Sequence, residues 1–116
     1  MVEEASSKNR RLQLEEELRR ITEVLREEYH PQAIILFGSL ATGQVHPGSD
    51  IDLLVVKETD KPGLVRSLEV VDLCQNRVGL HVVVYTPKEF SQLQARPNSF
   101  LRTEVLNKGR ILYRAA

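Results

Sequence analysis

Two short apolar runs, AIILF at Ala33 to Phe37 and DIDLLVVK at Asp50 to Lys57, stand on either side of a loop of small and turn-forming residues. This arrangement constrains the fold more than any other feature of the chain. The first, uninterrupted, reads as a strand buried on both faces rather than as an alternating edge, and the second reads as another strand. Gly38 stops the first run, and the loop SLATGQVHPGS, Ser39 to Ser49, leaves room for one helical turn before the Pro47-Gly48 turn. A third run, LHVVVY at Leu80 to Tyr85, predicts another strand, and RILYR at Arg110 to Arg114 predicts a closing one.

Helical patterns separate these strands. From about Ser7 to Tyr29, Leu14, Leu18, Ile21, Leu25 and Tyr29 recur at offsets of three and four, and Glu15/Arg19 and Glu16/Arg20 form i, i+4 pairs. His30 precedes Pro31, which disfavours the α region and ends this helix. Asp60, Lys61 and Pro62 suit a second helix start, with Leu64, Leu68, Val71 and Val78 at helical spacing towards Gly79. Thr86, Pro87 and Glu89 supply an N-cap, a first-position proline and an acid at N3. A last helix is expected from Ser99 to Lys108, with Gly109 in the C′ role. The order predicts a single α/β (α+β) domain over residues 1–116, with a mixed sheet of about four strands flanked by helices. Residues 1–30 form its amphipathic leading helix and 33–116 its core.

Composition narrows the function classes. The 116 residues carry 16 basic and 16 acidic side chains, with 41% apolar and 5% aromatic residues, enough for an aliphatic core without staples. The single cysteine, Cys74, rules out an internal disulfide framework and is expected as a buried thiol. Eight acids in the first thirty residues argue against a signal peptide, and no apolar run approaches a membrane span, so a cytoplasmic protein is expected. Residues 1–30 hold six basic and eight acidic groups, 31–86 four and six, and 87–116 six and two. That modest basic tail is too weak for nucleic-acid recognition, which shows as a strongly basic stripe.

Chemistry concentrates between Phe37 and Val56. Asp50 and Asp52, two apart on a strand, project from one face, and paired carboxylates repel unless a cation lies between them. Hard oxygen donors of this kind suit Mg²⁺. Gly38 lets a ligand approach the backbone closely, and Ser39 offers a hydroxyl and turn N–H groups to a phosphate oxygen. A Gly-Ser followed at one fixed distance by Asp-x-Asp arises by chance in a chain this long on the order of once in a thousand.

Gly38-Ser39 followed by Asp50-Ile51-Asp52 resembles the signature of the DNA polymerase β-like nucleotidyltransferase superfamily, and the short length resembles its minimal nucleotidyltransferase (MNT) family. VVVYTPKEF and GRILY resemble further family segments. The resemblance implies that Gly38 and Ser39 bind the nucleotide and that Asp50 and Asp52 bind Mg²⁺. The implied reaction transfers a nucleoside monophosphate, most simply AMP from ATP, to an acceptor hydroxyl. It also implies a partner, because MNT proteins resemble one half of pairs whose other half is a small helical HEPN-domain protein. In those pairs the MNT member acts as antitoxin by nucleotidylating the toxin.

Two positions depart from the family pattern. Thr42 stands where family members often carry arginine. The position of the family's third carboxylate aligns with His81, and residues 78–85 contain no acid. Three readings of His81 stand side by side: a general base, the mark of weakened catalysis, or an ordinary strand histidine if the register slips by one residue. The competing function is a non-enzymatic subunit that binds nucleotide or neutralises its partner by occlusion. His46 is expected as a solvated loop histidine, and Arg102, Lys108, Arg110 and Arg114 as solvated charges. The first helix is long enough to offer homo-oligomer contacts.

Overall fold

The computed structural model describes residues 2–97 and 99–116. Strands β1 (Ala33–Phe37), β2 (Ile51–Val56), β3 (Leu80–Tyr85) and β4 (Arg110–Arg114) form one sheet in the order β3-β2-β1-β4. β1 runs antiparallel to both β2 and β4, whereas β2 and β3 are parallel. The expected mixed four-stranded sheet is therefore present. A parallel pair needs a crossover, and helix α3 (Gly63–Cys74) provides it.

Both faces of the sheet are covered, which explains why its inner strands are apolar apart from Asp52 at the start of β2. On one face α1 (Val2–Val24) lays Leu14, Leu18 and Ile21 against Ile34, Leu36, Ile51, Leu53 and Val55, and α3 adds Val70 and Cys74. On the other, Leu93 of α4 (Pro87–Ala95) and Val105, just beyond α5 (Phe100–Arg102), meet Ile35, Leu54 and Val56. Cys74 is fully buried as expected, and desolvation pushes its thiol up to about 11. The capping box at Thr86 forms as expected: Glu89 N–H donates to the Thr86 hydroxyl at 3.1 Å, and Thr86 N–H donates to the Glu89 carboxylate at 2.8 Å. Among the described residues no helix is long and apolar enough to cross a membrane.

Several local expectations need correction. The first helix ends in a π-helical turn, Leu25–Tyr29, and His30 closes it in the left-handed region at φ 55°, its N–H bonded to Leu25 O. The proline restriction at His30 is met by this left-handed cap rather than by extended backbone. Arg20 pairs with Glu17 rather than Glu16, and Glu15 pairs with Arg110 across 95 residues. The last helix is one short α segment followed by a π-helical turn, Thr103–Asn107. Gly109 is required by close packing rather than by a C′ conformation, since a Cβ there would overlap the Val105 carbonyl. The largest correction concerns α3. The residues that set its helical spacing, Leu64, Leu68 and Val71, face outward, while Arg66, Val70 and Cys74 face the sheet. The helix ends at Cys74, and Gln75 caps it at φ 46°, so Val78 reaches the core from the following loop.

Candidate active site

The expected site residues converge at the β2 and β3 N-terminal ends. Ile51 pairs with Leu80 and Asp52 with His81 in the parallel register, and Phe37 of β1 lies opposite Asp52 on the other side. Side chains opposite one another in adjacent strands share a face, so Asp52 and His81 stand side by side. Nδ1 of His81 lies 3.0 Å from Oδ1 of Asp52, and Nε2 lies 3.9 Å from Oδ2 of Asp50. A carboxylate oxygen accepts hydrogen bonds, so this contact suits a hydrogen on Nδ1 and leaves Nε2 without a hydrogen-bond partner among the described residues. The His81 side chain is 70% exposed, open to a substrate.

Asp50 stands one residue before β2 rather than on it. Its backbone position is set by Ile51 N–H, which donates to Gly79 O at 3.0 Å, and its carboxylate packs where a Cβ on Gly79 would lie. Gly38 plays the matching part for Asp52. At φ 77° and ψ −159° its backbone occupies a region open essentially to glycine, and a Cβ there would overlap the Asp52 carboxylate. The two glycines thus flank the two carboxylates.

Ser39 opens the single helical turn α2 (Ser39–Thr42) and donates its hydroxyl to Ser49 Oγ at 3.0 Å. Ser49 is buried, and its Oγ also accepts the His46 N–H at 2.9 Å. His46 therefore shapes the loop with its backbone, while its ring Nδ1 accepts the Gly48 N–H at 3.2 Å. This hydroxyl pair ties the Gly-Ser turn to the residue preceding Asp50. Thr42 reaches only its own turn, donating to Ser39 O.

Sequence reasoning missed Arg10 and Arg11 of α1. Arg10 donates from Nε to Ser49 O at 2.8 Å and from Nη2 to Asp50 Oδ1 at 3.3 Å, and Arg11 donates to Gly43 O at 2.5 Å. Both span more than thirty residues, so no local spacing signals them. Among the expected solvated charges, Arg102 donates to Gln94 O, and Arg110, two strands from β2 at the same end of the sheet as Asp52, reaches Glu15.

The carboxylates fit a divalent cation by their chemistry: two hard oxygen donors converge within reach of one imidazole. Mg²⁺ is commonly held by one or two carboxylates plus substrate phosphates, so a closed cage of three or more protein ligands is not required. Among the described residues no such cage occurs.

The family model for "Polymerase beta, Nucleotidyltransferase" matches residues 19–116, which include Gly38, Ser39, Asp50, Asp52 and His81. The chain belongs to the polymerase β nucleotidyltransferase family. The resemblance carried by Gly38-Ser39 and Asp50-Ile51-Asp52 is thereby borne out, and this nucleotidyltransferase is a transferase by family. A curated relative from Methanocaldococcus jannaschii, named as a candidate protein adenylyltransferase, is 34% identical over 77 residues, covering 66% of this chain and 77% of its own. The fold matches a crystal structure of a candidate nucleotidyltransferase from Sulfolobus solfataricus, with a TM-score of 0.64 at 18% identity over 94% of this nucleotidyltransferase and 87% of that chain. It also matches a chain in the crystal structure of a toxin–antitoxin with AMP-PNP, with a TM-score of 0.54 at 23% identity over 84% and 73%.

Proposed function

We propose that the chain transfers a nucleoside monophosphate, AMP from ATP in the simplest case, to a hydroxyl of a partner protein. The observation that carries this reading is the convergence of Asp50, Asp52 and His81 beside the Gly38-Ser39 turn. Gly38 and Ser39 hold the triphosphate, Asp50 and Asp52 hold Mg²⁺, and Arg10 keeps the Asp50 end of the loop in place. The bound ion supplies charge neutralisation at the phosphates and lowers the pKa of the acceptor hydroxyl. His81 Nε2 takes the proton from that hydroxyl while Asp52 holds Nδ1–H and so the ring orientation. The acceptor oxygen forms a bond to the α-phosphorus as the bond to pyrophosphate breaks, and pyrophosphate leaves with the electron pair.

The M. jannaschii relative supports protein as the acceptor. The fold neighbour is a toxin–antitoxin with AMP-PNP, and on this reading the chain is the MNT antitoxin of a small helical HEPN-type toxin. Such a pair would work in the cytoplasm, where ATP and Mg²⁺ are abundant.

His81 at the third carboxylate position favours one alternative: a weakened site in a subunit that neutralises its partner by binding. Incubation with labelled ATP, Mg²⁺ and the co-produced helical partner separates the two. Label on the partner that disappears in Asp50→Ala and Asp52→Ala supports transfer. A tight complex without label, unaffected by either change, supports occlusion. Loss of transfer in His81→Asp fits an imidazole base, whereas a gain marks a weakened site.

A further inference from the structure

The outward face of α3 is an apolar surface that neither the core nor the active site uses. Leu64 is 73% exposed, Leu68 58%, Val65 41% and Val71 36%, all on one side of a twelve-residue helix. Single exposed aliphatic residues are ordinary, but four at helical spacing form a seam of the kind that packs against another helix. This seam also has relief. Leu64 protrudes near its start, and a shallow groove lined by Leu68, Val71, Asp72, Gln75 and Asn76 lies near its end.

The two ends are complementary to each other. The N-terminus of α3 has Pro62 as its cap, with no side-chain cap hydrogen bond and no acid in the first turn. Its first backbone N–H groups and the positive end of the helix dipole therefore lack an anionic partner from their own turn. Asp72 sits at the other end of the seam, beside the groove, with exposed surroundings. In an antiparallel pairing centred on Leu68, residue 64 of one helix lies opposite residue 72 of the other. Each protruding Leu64 then enters the partner groove, and each Asp72 faces the uncapped start of the partner α3. A single surface that supplies both knob and groove, and both acid and helix N-terminus, is self-complementary under a two-fold axis.

We propose that α3 is a homodimer seam in which two copies of this chain pack antiparallel about Leu68. The seam covers less than the ~800 Å² per partner of a standard stable interface, so the dimer is weak, with a Kd of about 10 to 100 µM.

Sedimentation equilibrium over about 5 to 500 µM tests the proposal, together with oxidative cross-linking. The wild type is expected to shift from 13.2 kDa towards twice that mass. Leu68→Glu is expected to stay monomeric at every concentration with an unchanged melting temperature, because Leu68 is already largely exposed. Leu68→Cys is expected to form a disulfide-linked dimer under mild oxidation, while Leu12→Cys, at another exposed apolar site, does not. A wild type that remains monomeric, a dimer that survives Leu68→Glu, or cross-linking equal at both positions would overturn the proposal. So would a monomeric wild type whose complex with a helical partner protein is lost in Leu68→Glu, since that outcome assigns the face to the partner.

Discussion

Helices α1 and α3 lie on the same face of the sheet, yet they use their apolar residues in opposite ways. α1 turns its Leu14, Leu18, Ile21 stripe into the core and sends polar side chains from its flank to the active-site loop. α3 keeps its Leu64, Leu68, Val71 stripe outside and anchors itself with Val70, Cys74 and a charged residue, Arg66. Arg66 is buried because it has partners: it donates to Lys61 O at 2.6 Å, to Val84 O at 3.1 Å and to Glu89 at 2.6 Å. The difference teaches that an apolar period identifies a face that wants cover without saying whether the same chain covers it.

That contrast is sharpest in stability. Ile21→Ala on α1 is expected to cost about 2 to 5 kcal/mol, the range for a fully buried aliphatic residue. Leu68→Ala, equally apolar and at the centre of the α3 stripe, is expected to stay within about 0.5 kcal/mol under dilute monomeric conditions. Chemical denaturation of both variants checks the pair, and similar losses would mean that α3 is turned the other way.

A smaller effect separates the polar anchors. The Arg20 guanidinium and the Arg77 backbone N–H hold Glu17 below the usual carboxylate range, against the desolvation that opposes ionisation. A lowered folded-state pKa stabilises above the ordinary value of 4.5 and loses that contribution as pH falls through the folded value. Glu17→Gln is therefore expected to cost about 1 to 2 kcal/mol at pH 7 and to flatten the acid side of the stability profile. The Thr86 N–H and Arg66 hold Glu89 low in the same way, so part of the slope remains in this variant. Thermal melts between about pH 3 and pH 7 test both points.

The smallest structural effect carries a functional one. Arg10→Ala is expected to leave the melting temperature within a few degrees, because α1 keeps its buried stripe. It should lower transfer about tenfold, the equivalent of one charge-assisted hydrogen bond of roughly 1.4 kcal/mol. A large loss of stability with unchanged activity would make Arg10 a purely structural brace.

Legibility in the sequence followed how local each signal is. Apolar runs located all four strands, and Thr86-Pro87-Lys88-Glu89 located the α4 cap, because neighbouring residues decide these features. His81 was drawn to the site by the family resemblance, and the parallel register of β2 and β3 sets it beside Asp52. Arg10 on Ser49 and Asp50 was invisible, since partners forty residues apart leave no spacing to read. Gly38 and Gly79 were legible as strand and helix punctuation, but not as the spaces that admit Asp52 and Asp50. The orientation of α3 was not legible, because Arg66 looks like a surface residue until Val84 O and Glu89 are placed beside it.

The central claim is that Asp50, Asp52 and His81 support nucleotidyl rather than phosphoryl transfer to a protein hydroxyl. Parallel reactions with α-labelled and γ-labelled ATP, in the presence of Mg²⁺ and the helical partner protein, test it most directly. The expected result is partner label from the α-labelled nucleotide alone, absent when Asp52→Asn replaces the wild type. Label from the γ position, or α-label that persists in Asp52→Asn, would contradict it.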